Sequence, residues 1–180
     1  AFIRLWDELR ITDAPISVLQ AFSFNAIKLG ELSDAASLNH GIESRTIGHA
    51  TRNLPKPQWN NWLGQLQKRG YSLNQSEWHH KQFDEKPAGQ NESIFSFSLH
   101  VEHQASQLRL IADGRIKVLW LKEKNNQGIF VPDTIEVTEL EILQRQGQPL
   151  FKRMGAFDIA AQKRGPVLAY DLNGDGRSEI

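Results

Sequence analysis

Ser93-Ile94-Phe95-Ser96-Phe97-Ser98-Leu99-His100-Val101 is the stretch that decides the fold. From Phe95 to Val101 every second residue is apolar, and Ser96, Ser98 and His100 fill the gaps. A period of two puts the apolar side chains on one face of a β-strand and the polar ones on the other. The sequence around it continues the pattern. Residues 108–121 read as a hairpin turning at Asp113-Gly114, a dipeptide that accepts the positive φ angles of a two-residue type I′ turn. Residues 134–143 form a further strand, but the apolar phase moves from Ile135 and Val137 to Leu140 and Ile142, and one extra residue in a β-bulge accounts for the shift. Upstream, residues 71–83 make a first strand whose centre, Glu77-Trp78-His79-His80, mixes both faces.

Before the strands the period changes. Phe2, Leu5, Trp6 and Leu9 fall at the i, i+3, i+4, i+7 spacing of one helical face, with Arg4, Asp7, Glu8 and Arg10 opposite. Asp13-Ala14-Pro15 stops that helix and starts a second one carrying Val18, Leu19 and Phe22. A third short helix is expected over 32–38, and residues 39–58 read as an irregular crossing loop. Pro57 then opens a stronger helix bearing Trp59, Trp62, Leu63 and Leu66, which Gly70 ends. At about 25 cal/mol per Å² of apolar area, its tryptophans need a broad surface to dock on. Helices followed by an antiparallel meander define an α+β domain, with amino-terminal helices packed on a curved sheet.

Composition narrows the function. The 180 residues carry a formal net charge of +0 and a pI near 7.2, so no field of one sign steers nucleic acid or an anionic membrane surface toward the chain. No apolar run is long enough to cross a bilayer and no secretory leader is present, so the chain is expected to be soluble. With no cysteine, disulfides, thiolate chemistry and cysteine-based metal centres are excluded. A start at Ala1 and a stop at Ile180 suggest a processed or truncated piece. The expected organisation is an α+β domain over 1–147, a connection over 148–165 punctuated by Pro149, Gly155 and Gly165 and preceded by Gly147, and a distinct unit over 166–180.

That last unit holds the sharpest chemical signal. Asp171, Asn173, Asp175 and Glu179 place oxygen side chains at loop positions one, three, five and nine, Gly176 allows a sharp turn at position six, and Arg177 offers its carbonyl. Calcium takes six to eight oxygens at about 2.3–2.6 Å, and alternate residues of a tight loop can aim such a set inward, with water completing the shell. An Asp/Asn/Gly-rich turn without metal is the bland alternative. An EF-hand shares the first six positions, but Ser178 stands where it usually has an apolar residue, and the residues before Asp171 suit a strand better than a helix.

Residues 167–180 resemble one FG-GAP repeat, also called a VCBS-type repeat, of the calcium-binding β-propellers found in integrin-like and bacterial surface proteins. Glu179 replaces the more usual aspartate. The resemblance implies a structural calcium, the start of a propeller blade, and a role in adhesion or ligand binding in an exported protein, periplasmic or at the cell surface. The partner would be a protein or a glycan. The layout before the repeat also resembles amino-terminal domains of bacterial FG-GAP proteins, in which a unit similar to the nuclear-transport-factor-like cone precedes the propeller; residues 148–151 would be the join.

Catalytic candidates in the first domain are Glu77, His79, His80, His100, His103 and Asp113. Strand parity separates Glu77 and His79 from His80, and His100 from His103, so spacing alone specifies no three-histidine site, although neighbouring strands can bring His79 toward His100. Surface or hydrogen-bonded histidines are the plainer reading. Of the tryptophans with a face that can stack on a sugar, Trp59, Trp62 and Trp120 have core spacing, leaving Trp78 with His79 and His100 as the candidate ligand-binding residues. A pocket enclosed by sheet and helices, serving an isomerase- or hydratase-like reaction, is the alternative to a non-catalytic binding role.

Overall fold

Phe2 and Leu5 are buried along one side of α1 (Phe2–Ile11), which ends at Thr12, where the Thr12 hydroxyl oxygen accepts from the Ala14 amide at 3.0 Å. Pro15 then opens α2 (Pro15–Ala21) in the first turn, where a missing amide donor costs nothing. The structure, a computed structural model, describes residues 1–86 and 90–148, all within one compact unit, Ala1–Gln148. Eight strands follow the first two helices in chain order: β1 (Ala26–Leu29), β2 (Ala36–Ser37), β3 (Ile42–Thr46), β4 (Arg52–Pro55), then, after α3 (Lys56–Lys68), β5 (Tyr71–Asp84), β6 (Glu92–His103), β7 (Leu108–Lys124) and β8 (Phe130–Gln146).

All eight join one sheet in the order β2-β3-β8-β7-β6-β5, with β1 pairing both β8 and β4. Pairing is antiparallel throughout except that β1 runs parallel to the start of β8. The chain is therefore α+β and mostly antiparallel sheet. The long β8 serves two partners on one side, Thr134 to Glu136 facing β1 and Glu141 to Arg145 facing β3. The register slips between those stretches, where Arg115 pairs with Glu139 and Ile116 with Val137, leaving Thr138 extra. This is the bulge that the phase shift between Val137 and Leu140 predicts, and it bends the strand where its neighbour changes.

The chain enters α3 from β4 and leaves it into β5, so the helix links the two borders of the sheet. Its main packing partners are α2, β4, β1 and β5. The core lies between the helices and the sheet: Phe2 and Leu5 from α1, Phe24 and Ile27 around β1, Phe95 from β6, Ile116, Val118 and Trp120 from β7, and Ile135 from β8. Val118 is 0% exposed. Ser93 shares the inward parity of Phe95 and is buried too, its hydroxyl oxygen accepting the Trp120 indole N–H at 2.9 Å.

Three expectations are corrected. Residues 32–38 form no helix: Leu32 bridges to Ile47, and Ala36 and Ser37 make β2 against β3. The expected crossing loop over 39–58 contains β3 and β4, strands of five and four residues. Such strands are too short to show a period, and their ladder is supplied by distant partners in β8 and β1. Finally, Asp113-Gly114 is no turn. β7 runs straight through it, with Asp113 between Ser98 and Glu141, and Gly114 between Phe97 and Leu140. Gly114 is not among the glycines with positive φ. A Cβ there would run into the Glu139 carbonyl oxygen and lie 2.7 Å from the Phe97 ring, so glycine serves a close approach. The chain reverses later, where the Asn125 side-chain oxygen accepts from the amides of Gln127 and Ile129, both at 3.0 Å, and Gly128 takes φ 72°.

Candidate functional site

The expected calcium ligands Asp171, Asn173, Asp175, Arg177 and Glu179 lie outside the described residues, as do most of the expected connection and the whole of the expected repeat. Among the described residues no group of three or more His, Asp or Glu is placed to hold a metal ion.

The candidates on the strands are dispersed by the sheet. Trp78 pairs with Phe97 across β5 and β6, its ring 5.4 Å from that of Phe97 and 5.6 Å from that of Phe2. It thus packs against the core, and its buried indole N–H meets no acceptor among the described residues. Trp62, read from helical spacing as a core residue, is instead 45% exposed, while its neighbour Trp59 packs on the core 5.1 Å away. Spacing marks which side of α3 faces the sheet, but not where along the helix the sheet stops.

His79 points to the opposite side of β5 from Trp78 and is more than half exposed, 3.8 Å from the Glu77 carboxylate. It pairs with Ser96, whereas His100 pairs with Gln75 and Ile111. Four residues of β6 separate Ser96 from His100, about 13 Å along the strand, so the register keeps the two histidines apart. His80 takes the inward face and stacks on Phe95 with ring centroids 4.6 Å apart. His103 is a structural clamp. Its Nε2–H donates to the Arg69 carbonyl at 2.6 Å, the assignment that leaves Nδ1 to accept from the Ser106 hydroxyl at 2.6 Å, tying the end of α3 to the β6–β7 turn. Asp113 is exposed in mid-strand. The inner face thus presents aromatic rings, and the one histidine–carboxylate ion pair among the described residues lies at the surface.

Two concavities among the described residues carry polar groups. A depression of about 510 Å³ lies at the β8 bulge, bordered by Thr46, Asp113, Arg115, Thr138, Glu139 and Glu141. Arg115 already pairs there with Glu139 at 3.1 Å, and Glu141 accepts from the Ser44 hydroxyl at 2.9 Å. A smaller cleft of about 260 Å³ opens between α1, α2 and the β7–β8 connection. Its floor is apolar, from Leu5, Val18, Phe22 and Pro132, and Arg4, Glu8, Asn125 and Gln127 are among its polar groups. No spacing rule links Arg4 to Gln127, so this site is invisible in the sequence. Lys56 is a further unforeseen group. Partial burial lowers its pKa to about 8, and its ammonium donates to the Leu19 carbonyl at 3.2 Å and sits 4.4 Å from the centre of the Phe24 ring.

Fold and site together define a helix-backed, bulge-bent antiparallel sheet with an aromatic interior. Comparisons with family models, curated proteins and solved structures find no match to this chain.

Proposed function

We propose that this chain is a non-catalytic binding domain of an exported bacterial protein, joined to a calcium-stabilised FG-GAP-type repeat that begins near its carboxyl end. The observation that carries the proposal is the in-phase set Asp171, Asn173, Asp175 and Glu179 with Gly176 at the turn. Calcium there is structural, holding two extended segments together, and the bound partner is a protein or a glycan. With three carboxylates on one short loop, affinity falls in the weak range of extracellular modules.

A layout similar to the nuclear-transport-factor-like cone is supported by the order of elements: helices accompany one antiparallel sheet, and α3 links its two borders. The isomerase or hydratase alternative calls for an acid–base pair in a pocket between helices and sheet, where the described core residues are packed and largely aromatic.

Calorimetric titration with calcium on a chain extended past Ile180 tests the reading. Asp175→Ala removes the central ligand, and the heat of binding should vanish while the far-ultraviolet circular dichroism of the α+β domain is retained. An isotherm unchanged by Asp175→Ala would remove the calcium loop, and with it the family resemblance.

A further inference from the structure

The cleft between α1, α2 and the β7–β8 connection has one wall fixed in advance. Asn125 braces the connection by accepting two backbone amides, and its own amide donates to the Ile129 carbonyl at 2.9 Å. This holds Gln127 beside Arg4, whose guanidinium donates to the Gln127 side-chain oxygen at 3.3 Å. Among the described residues Arg4 has no carboxylate within ion-pair distance. A cation held at the edge of an apolar cleft by one long bond to a neutral amide can exchange that bond for a shorter, charge-assisted pair with an incoming carboxylate.

We propose that this cleft binds a small monocarboxylate with an apolar tail: the carboxylate takes Arg4 in place of Gln127, and the tail lies over Leu5, Val18 and Phe22. The volume of about 260 Å³ suits a short chain or a single ring. Glu8 lies in the same cleft one helical turn from Arg4, so a second carboxylate on the ligand would meet a like charge. The site therefore prefers monocarboxylates to dicarboxylates of equal length. It is independent of the calcium loop, and its failure would leave that reading untouched.

The probes are straight-chain carboxylates from butanoate to octanoate, with adipate as the dicarboxylate, added to the full chain at neutral pH and followed by amide chemical shifts. Hexanoate should shift the signals of Leu5, Val18 and Ile129 with a Kd on the order of 1 mM, as expected for a ligand of few atoms. Arg4→Gln should weaken this roughly five-fold, in line with an exposed charged pair, and adipate should bind more weakly than hexanoate. Val18→Phe should block the tail at any chain length. Arg10→Gln, on the same helix but stacked over Trp6, should change nothing. The proposal is overturned if no chain length shifts those signals, if Arg4→Gln and Val18→Phe bind as the parent does while keeping its spectrum elsewhere, or if adipate binds as tightly as hexanoate.

Discussion

The inner face of the sheet has two halves with different physics. Around Phe95, Ile116, Val118, Trp120 and Ile135 it is roofed by Phe2, Leu5, Phe22 and Phe24 from the helices and the segment after them, and most of these residues are under a tenth exposed. Farther along the same strands, Leu99, Val101, Leu110 and Ile142 keep the inward parity but are only half-buried. The residues are of similar kind and the β6–β7 ladder runs unbroken through both halves, so the difference lies in what the helices cover. Stability should be concentrated in the roofed half, leaving the other half free to tolerate change.

The strongest test compares one strand with itself. Phe95→Ala opens a cavity among three aromatic neighbours, Phe2, His80 and Trp120, and should cost about 3–5 kcal/mol. Leu99→Ala, four residues on and facing the same way, removes less buried area and should cost about 1–2 kcal/mol. Urea denaturation of both variants measures the gap. Equal losses would show that the helices do not set the difference.

Gly114 marks the boundary between the halves, where the Phe97 ring lies against the glycine and the Glu139 carbonyl closes in beneath the bulge. Gly114→Ala should cost about 1–3 kcal/mol by overpacking, because one of the crowding atoms is backbone and cannot rotate away. A thermal midpoint unchanged or raised by the alanine would mean that the strands separate there more easily than the packing implies. Had Asp113-Gly114 been a turn, alanine would fail through its φ angle and a D-alanine would be tolerated. At this position φ is not positive, and it is the added Cβ itself that has no room.

How much of this can be read in the residues depends on where the determining force acts. The bulge in β8 is legible because burial on both sides of it prints a phase shift between Val137 and Leu140 onto a single stretch. The helices carrying Leu5 and Leu63 are legible for the same reason, since one surface buries residues at a fixed spacing. β3 and β4 are not, because Ile42 to Thr46 and Arg52 to Pro55 become strands only when β8 and β1 lend them hydrogen bonds. Asp113-Gly114 misleads because glycine answers two different needs, a positive φ and the absence of a Cβ. Trp62 reads as a core residue but is exposed, because position along α3 relative to the sheet has no local signature. The cleft at Arg4 joins residues 123 apart and is set by tertiary structure alone.

Ser93 gives a smaller effect inside the roofed half. Ser93→Ala leaves the Trp120 indole N–H buried without its acceptor and should cost about 1–3 kcal/mol, whereas Trp120→Phe in the Ser93→Ala background should recover part of that loss. A double-mutant cycle by chemical denaturation reads the coupling directly. Additive losses would mean that the hydrogen bond contributes nothing beyond the packing of the two side chains.

The weakest expected effect concerns a charge held at the edge of the roof. Lys56 begins α3 beside the last turn of α2, and loss of hydration lowers its pKa from 10.5 to about 8. A lowered lysine pKa means that the folded state disfavours the charged form. The cost is therefore fully present below pH 8 and is relieved as pH rises toward 10.5, the window in which the unfolded chain holds more protons and stability increases with pH. Because the group is more than a third exposed, solvent screening keeps the effect small. Lys56→Met retains the stem over Phe24 and removes the charge, but also removes the donor to the Leu19 carbonyl, which water can replace at this exposed helix end. The variant should differ from the parent by under about 1 kcal/mol at pH 7 and should lack the parent's rise between pH 8 and 10. If both proteins gain stability in parallel over that range, the ammonium at position 56 is hydrated like any surface lysine, and the roof ends before it.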